Sequence, residues 1–425
     1  MLRSGQFHAS GSTPSCPNPR YPLPTLPPTA PSKAAPTVLF TAFEPSGDDH
    51  SAAVIEALRR QRPDIQVFAW GGPKMARAGA NIVARTGEHS VIGIPGWSVI
   101  KHYRQIFSDI EKWIKQNKPT VHVPVDSPGA NFTVAKIAKK NGVKVVHLVA
   151  PQLWAWGPWR VNKLRKRTDL VLCILPFEEE WFELRGIKAK FVGHPLFDEP
   201  LDLDRLDVKA KALPDGEVRL AIFAGSRAAE LRRHFPILLQ TFRELRRRYP
   251  RLVGVLGATT EDVRQSMYQR ANLLGGWPEG LDCVAGQTDA VVRWCDLAIV
   301  KSGTVTLQIA KQAKPMIIFY KTNKLAYQAI GQFVVSTPYI ALPNLIAGHE
   351  IIPELIPYFK GPDRLIDAVD ALLNDPDAQE TQRRALQGVI ARFAGKHCGE
   401  SAAAEIAKMV DGVLPPTPSG AKSPS

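Results

Sequence analysis

Residues 37–50 read TVLFTAFEPSGDDH: an apolar run rich in β-formers, then an acid, a proline and a glycine, then the small and acidic residues that open helices. A strand without polar alternation that runs straight into a helix start is the repeating unit of a parallel sheet covered on both faces. IQVFAW (65–70), VHVPVD (121–126), VKVVHLV (143–149), LVLCIL (170–175) and AKFVGH (189–194) repeat the strand half of that unit. Helical patterns near 51–61 and at 102–116, 131–140 and 178–185 lie between them.

Residues 195–217, PLFDEPLDLDRLDVKAKALPDGE, break the alternation with prolines and alternating charges and are expected to link two domains. The pattern restarts with VRLAIFAG (218–225), a long basic helix from about 230 to 248, LVGVLGA (252–258), LDCVAG (281–286), LAIV (297–300) and PMIIFY (315–320). The expected fold is α/β: two Rossmann-like domains, 37–200 and 215–362, facing across a cleft. Helices at 363–374 and 378–411 follow, with 363–411 expected to pack back on the first domain. At 425 residues the chain exceeds what one hydrophobic core usually organises, which agrees with two domains.

Residues 1–36 are rich in Pro, Ser and Thr and have no periodic apolar pattern, so they are read as a disordered leader; 412–425 have the same composition and are read as a loose tail. Neither a secretory apolar stretch nor a run long enough to span a bilayer is present in the sequence, which leads us to expect a cytoplasmic chain, at most attached to a membrane surface. The five cysteines are scattered without metal-ligand spacing, so structural zinc is not expected, and Cys173 and Cys295 read as small buried hydrophobes. The net charge of +14 owes only Arg3, Arg20 and Lys33 to the leader. A basic folded part suits phosphates, whether in nucleotide sugars, anionic lipid headgroups or nucleic acid.

Five segments carry candidate chemistry. In FEPSGDDH (43–50), Glu44 follows a buried strand at its carboxyl end, where ligands bind in such sheets; Ser46 and Asp48 either face that cleft or simply serve as N-cap and first-turn residue of the next helix. In VPVDSPGANF (123–132), Asp126 ends another strand at the same edge and can act as general base toward a sugar hydroxyl if its surroundings raise its pKa. An Asp capping the next helix is the alternative, although Asn131 is the better placed cap. APQLWAWGPWRVNKLRKR (150–167) sets Trp154, Trp156 and Trp159 beside Arg160, Lys163, Arg165, Lys166 and Arg167. That mixture serves sugar phosphates or an anionic membrane, and no nucleic-acid module accompanies it. AGSRAAE (224–230) and KSGTVTLQ (301–308) each place a small-residue turn between a strand and a helix N-terminus. Together Gly225, Ser226, Arg227, Ser302, Gly303 and Thr304 make a candidate diphosphate cradle that needs no metal, since helix dipoles and an arginine supply positive charge.

Read as an ordered set with GGPKM (71–75), LPFEEEWF (175–182), FVGHPLFDE (191–199) and LPNLIAGHE (342–350), these motifs resemble the lipid-A-disaccharide synthases over nearly all of residues 37–355. The resemblance implies a GT-B type glycosyltransferase that uses no cofactor. It would transfer 2,3-diacylglucosamine, with inversion, from its UDP conjugate to 2,3-diacylglucosamine 1-phosphate. It implies Asp126 as base with Glu44 nearby, a donor site at Gly225, Ser226, Arg227, Ser302, Gly303, Thr304, Gln308 and Asn344, and acceptor contacts at Ser46, Asp48, Asn131, Trp156 and Arg160. The substrates' acyl chains imply docking at the cytoplasmic face of the inner membrane, for which segment 89–106, with Trp97, Lys101, His102 and Arg104, has a suitable composition; core packing of that helix is the other reading. A homodimer is left open. The chain departs from the family pattern at Gly129 (Asp in the family), Gly157 (Arg), Gln308 (Glu), His349 (Arg) and Pro357 (Gln). Those departures keep two alternatives open, a related transferase with another UDP-sugar or acceptor and a non-catalytic binding homologue.

Overall fold

The computed structural model describes residues 35–86, 97–155, 157–322 and 337–413, with only the backbone of 97–100. The leader up to residue 34, residues 89–96 of the segment read for the membrane, Trp156 and the tail from 414 lie outside the described residues.

The first sheet consists of β1 (Thr37–Thr41), β2 (Gln66–Gly71), β3 (Asn81–Arg85), β4 (Val121–Pro124), β5 (Lys144–Leu148), β6 (Leu170–Cys173) and β7 (Ala189–Phe191), all parallel, in the order β3-β2-β1-β4-β5-β6-β7. The second consists of β8 (Val218–Phe223), β9 (Leu252–Ala258), β10 (Leu281–Ala285), β11 (Leu297–Lys301), β12 (Met316–Lys321) and β13 (Glu354–Tyr358), again parallel, in the order β10-β9-β8-β11-β12-β13. Each order reverses direction once, between β1 and β4 in the first sheet and between β8 and β11 in the second. Connections leave those two strand pairs toward opposite sides, which opens a crevice at their carboxyl ends.

The helices of the first half are α1 (Pro45–Gln61), α2 (Pro73–Arg77), α3 (Trp97–Asn117), α4 (Pro128–Lys140), α5 (Val161–Arg167) and α6 (Glu178–Glu183). One face of the sheet is covered by α3 and α4, with Ile110, Trp113 and Ile114 packed on Leu39, Phe68 and Trp70. The described part of α3 is thus committed to the core, while Lys101, His102 and Arg104 are exposed on its outer side.

The second half contains α7 (Leu203–Lys211), α8 (Ala228–Arg248), α9 (Glu261–Asn272), α10 (Thr288–Trp294), α11 (Val305–Lys311), α12 (Leu342–Ala347), α13 (Asp363–Leu373), α14 (Pro376–Ala391) and α15 (Cys398–Val410). Two readings of the sequence need correction. The segment read as a linker contains α7, capped by the Asp202 carboxylate on the Arg205 amide at 3.0 Å and tied to the second half by Asp207 and Arg293 at 2.6 Å. The stretch read as one helix over 378–411 is two, parted around Gly395, whose φ of +71° breaks the helical path.

The end of the chain does not go to the first sheet as a block. Leu365, Ile366, Val369 and Leu372 of α13 join the core of the second sheet, and Gln382 of α14 accepts the Met316 amide at 2.5 Å. Helix α15 lies on the first half, burying Ala402, Ala403, Ile406 and Met409 against Val54, Ile55 and Leu58 of α1. The Asp198 carboxylate accepts the amides of Cys398 and Gly399 at 2.7 and 3.1 Å and so caps α15 from the other side of the chain.

The two halves also meet at their carboxyl edges. Trp154, Ala155 and Leu175, which follow β5 and β6, pack with Leu307, Ile346, Val389 and Phe393, and Lys311 donates to the carbonyls of Leu196 and Glu199 at 2.6 and 2.7 Å.

Candidate active site

The crevice of the first sheet carries Glu44 after β1 and Asp126 after β4. Asp126 and Ser127 both take left-handed backbone angles, φ +47° and +41°. Such angles cost roughly 1–3 kcal/mol per non-glycine residue and persist only where the surroundings impose them. Here the Asp126 amide donates to the Leu148 carbonyl at 3.0 Å, and the Asn131 amide group donates to the carbonyls of Val125 and Asp126 at 2.8 and 2.9 Å. Asn131 in turn accepts the Thr41 hydroxyl at 2.8 Å, and the Thr41 oxygen is 2.9 Å from His122 Nε2. Thr41, His122 and Asn131 are all fully buried, so this chain fixes the Asp126 turn from behind. Burial drives the pKa of His122 down to about 3, which keeps the ring neutral.

Burial raises the Asp126 carboxyl above its ordinary range; the Ser127 amide opposes this, and the Glu44 carboxylate adds to it. Burial also raises the Tyr103 phenol, again with a contribution from Glu44, so the Glu44 charge acts on both a tyrosine and the second carboxylate. A half-buried carboxylate with a raised pKa at the crevice has the properties of a general base.

In the second sheet the crevice is lined by the turns Ala224–Arg227 and Ser302–Thr304. Gly225 has φ +100°, and a Cβ there would come within 2.5 Å of Glu230 Oε2. Glu230 accepts Lys301 Nζ at 3.0 Å and the Ser226 amide at 3.3 Å, with Arg227 Nη1 3.5 Å away. Burial pushes the Glu230 carboxyl up, but the Lys301 ammonium and the Arg227 and Ser226 amides outweigh it and hold the group below its ordinary value. An ammonium, a guanidinium and the N-terminus of α8 therefore converge on one spot. Thr304 is exposed, Ser302 and Gln308 are half-buried, and Thr306 turns inward to donate to the Gly303 carbonyl at 2.7 Å.

Three residues read as ligand contacts are engaged by the fold itself. The Asp48 carboxylate accepts the amides of Gly72, Lys74 and Met75 at 2.9–3.1 Å and holds the GGPKM turn. Asn131 is fully buried in the network described above, and it lies within α4 rather than capping it, since that helix starts at Pro128. Asn344, also fully buried, donates to Ile352 O and Glu354 Oε2 and accepts the amides of Ile351 and Ile352, all at 3.0–3.1 Å. Ser46 is exposed in the first turn of α1, where Glu44 and not Ser46 occupies the cap position. Arg160 is half-buried at the end of a short 3-10 turn, Trp154 is buried, and Trp159 is 66% exposed.

The departures sort differently. Gly129 is exposed with no atom within 4 Å of its missing Cβ, and Gly157 has φ +77°, a conformation natural to glycine. His349 is exposed just after α12. Pro357 stands on β13, the edge strand, where a residue without an N–H is tolerated, and not beside the β8–β11 crevice. The sequence reading missed Glu230, Lys301 and Glu178, although all three lie inside quoted motifs. Among the described residues no group of three or more His, Cys, Asp or Glu can hold a metal ion, and no helix is long and apolar enough to cross a membrane.

Two parallel sheets with facing carboxyl edges, a base-like carboxylate on one and a cationic turn on the other, define the glycosyltransferase class with two Rossmann-like domains. Solved structures of the same fold include the glycotransferase of kitacinnamycin (15% identity, 90% of this chain and 100% of that one, TM-score 0.59), a UDP co-structure of S. aureus MnaA (12%, 90% and 99%, 0.58) and Acinetobacter baumannii MurG (14%, 88% and 99%, 0.52). The family model for lipid-A-disaccharide synthetase matches residues 38–407. The chain is 32% identical over 380 residues to the lipid-A-disaccharide synthase of Geobacter sulfurreducens, covering 88% of this chain and 97% of that one. It is 34% identical over 358 residues to the enzyme of that name from Anaeromyxobacter dehalogenans, covering 83% and 92%. The chain belongs to the lipid-A-disaccharide synthase family of glycosyltransferases.

Proposed function

We propose that this chain transfers 2,3-diacylglucosamine from its UDP conjugate to the 6-hydroxyl of 2,3-diacylglucosamine 1-phosphate, giving an inverted β-1,6 linkage and UDP. The observation that carries this reading is the placement of Asp126, with its raised proton affinity, at the switch point of the first sheet. In the proposed reaction the Asp126 carboxylate takes the hydroxyl proton as the hydroxyl oxygen attacks the anomeric carbon, and the bond to the UDP oxygen breaks in the same displacement. Arg227, Lys301 and the amides of the Ser226 and Ser302 turns receive the charge that develops on the diphosphate. The UDP of the MnaA co-structure, in a protein of the same fold, supports a nucleotide site on this kind of scaffold. Residues 37–200 are assigned to the acceptor and 215–362 to the donor.

The acyl chains of both substrates place the reaction at the cytoplasmic face of a membrane. Exposed Trp159, Lys163, Arg165 and Lys166 offer an aromatic and basic surface of the kind that anionic lipids attract. The test is UDP release by the full chain with both lipid substrates in detergent and EDTA, beside Asp126→Ala. Acceptor-dependent release that the substitution reduces at least a hundredfold is expected. Unchanged release by Asp126→Ala refutes the base, and release without acceptor refutes the transfer.

A further inference from the structure

Glu178 is 1% exposed, the most deeply buried acid of the molecule's described part, and the transfer as described does not use it. It opens α6, directly after the turn that follows β6. One carboxylate oxygen accepts the Trp154 indole N–H at 2.9 Å; the other accepts the amides of Ile174 and Leu175 at 3.2 and 3.0 Å. All these partners are donors, an arrangement built for a charged acceptor, because a protonated carboxyl would turn an O–H toward another N–H.

What Glu178 joins is a junction. Trp154 belongs to the loop after β5 and Leu175 to the loop after β6. Both side chains sit in the cluster with Leu307, which follows the Ser302–Thr304 turn, and with Ile346, Val389 and Phe393. Phe177 packs edge-on against the Trp154 ring at 5.0 Å. The loop that Trp154 anchors continues to Gly157 and Arg160 at the acceptor side. A single buried carboxylate therefore couples two acceptor-side loops to each other and, through them, to the surface beside the donor turn.

We propose that Glu178 is a positioning residue for the transfer, tying the Trp154 loop to the end of β6 and so fixing the acceptor-side wall against the donor-binding half. The inference rests on the reading of Asp126 as base. It also has an electrostatic side. Burial, opposed by the indole and the two amides, raises the Glu178 carboxyl to about 7, and the Asp126 carboxylate contributes to that rise. The other ionisable groups around it are Glu179 and Glu183 of its own helix, the former paired with Lys190, and the Cys173 thiol of β6, which these acids and burial together push far up. The interaction is mutual, so an ionised Glu178 favours the protonated form of Asp126.

The experiment compares the full chain with Glu178→Gln, Trp154→Phe and Asp126→Asn in turnover, acceptor and donor KM, UDP binding by calorimetry, and the pH profile of kcat/KM. Glu178→Gln keeps the shape but presents an NH2 to one set of donors and removes the charge. It is expected to bind UDP as the wild type does, to lose about tenfold or more in acceptor-dependent turnover, and to lose the inflection near pH 7 that ionisation of Glu178 gives to kcat/KM. Trp154→Phe, which removes the indole N–H together with part of the ring, is expected to lower turnover and to move the Glu178 inflection to higher pH, because the indole bond favours the carboxylate. A Glu178→Gln protein with turnover within about twofold of wild type overturns the inference. If Glu178→Gln loses UDP binding along with turnover, its fold has failed and Trp154→Phe decides: undiminished turnover there also overturns it. Absent wild-type turnover, or an unimpaired Asp126→Asn, removes the underlying reading and this inference with it; intact controls beside a silent Glu178→Gln overturn the inference alone.

Discussion

Asn131→Ala separates a residue that binds the acceptor from one that holds the base. In the structure its side chain makes three hydrogen bonds, buried ones to the Val125 carbonyl and from the Thr41 hydroxyl and a partly buried one to the Asp126 carbonyl, at 2.8–2.9 Å. Removing it leaves the Val125 carbonyl and the Thr41 hydroxyl without that partner where solvent does not reach, and the Asp126 carbonyl without it in a partly open place. At roughly 1 kcal/mol for each bond the expected loss is about 3 kcal/mol, more if no water enters. For a half of this size that corresponds to a drop of roughly 6–12 °C in its melting temperature. The left-handed turn at Asp126 and Ser127 relaxes at the same time, so kcat is expected to fall while the acceptor KM changes little. Thermal unfolding followed by tryptophan fluorescence, together with steady-state kinetics at saturating donor, reads both quantities. A variant that melts with the wild type and loses only acceptor affinity refutes this reasoning and restores Asn131 to the role of ligand contact.

Lys301→Ala should weaken UDP binding roughly tenfold or more, the value of one charge-assisted hydrogen bond to phosphate, and calorimetry at two salt concentrations would show it; unchanged affinity would place the diphosphate elsewhere. Gly129→Asp should be tolerated, because nothing stands within 4 Å of the new Cβ and the residue lies in the exposed first turn of α4. A gain of about 0.5–1 kcal/mol is expected from the backbone, and the added carboxylate should raise the pKa of Asp126 further. Since the base acts deprotonated, activity disappears as pH falls through that pKa, and the acidic limb of kcat/KM should move upward; a limb that stays in place argues against proximity of the two positions. Asp198→Ala removes the cap that holds α15 and should cost about 1–2 kcal/mol, seen as faster hydrogen exchange confined to 398–410 with UDP binding intact.

The central strands were legible because they are buried on both faces and read as unbroken apolar runs. The edge strand β3, NIVAR, is partly exposed and mixes polar with apolar residues, so it carried no such signal. Helix α7 was hidden by its alternating charges, one of which, Asp207, has its partner Arg293 far along the chain. The crevice residues were legible for a geometric reason: once a run is recognised as a strand of a parallel sheet, the residue after it is at the ligand edge. That rule found Glu44, Asp126, Ser226 and Ser302. It does not say which way a side chain turns, and so Asp48, Asn131 and Asn344, in the same motifs, were grouped with them. Nor does it find pairs such as Lys301 with Glu230, or Glu178 with Trp154, whose meaning lies in contacts between separate segments.

The two crevices also differ in charge, and the difference fits the chemistry proposed for them. Around Asp126 the fold gathers carboxylates: Glu44 favours the protonated state of Asp126, and Asp126 that of Glu178. That environment strengthens a base. Around Gly225 it gathers Arg227, Lys301 and the α8 N-terminus, which favour an anion, and the place is held by the Glu230 carboxylate. Set side by side on one sheet, the two groups would pair with each other: the lysine would neutralise the base and lower its pKa, and the carboxylates would repel the diphosphate. Two sheets that meet at their carboxyl edges keep the groups apart until a donor and an acceptor lie between them, and proton removal and leaving-group stabilisation then act on opposite ends of the same displacement.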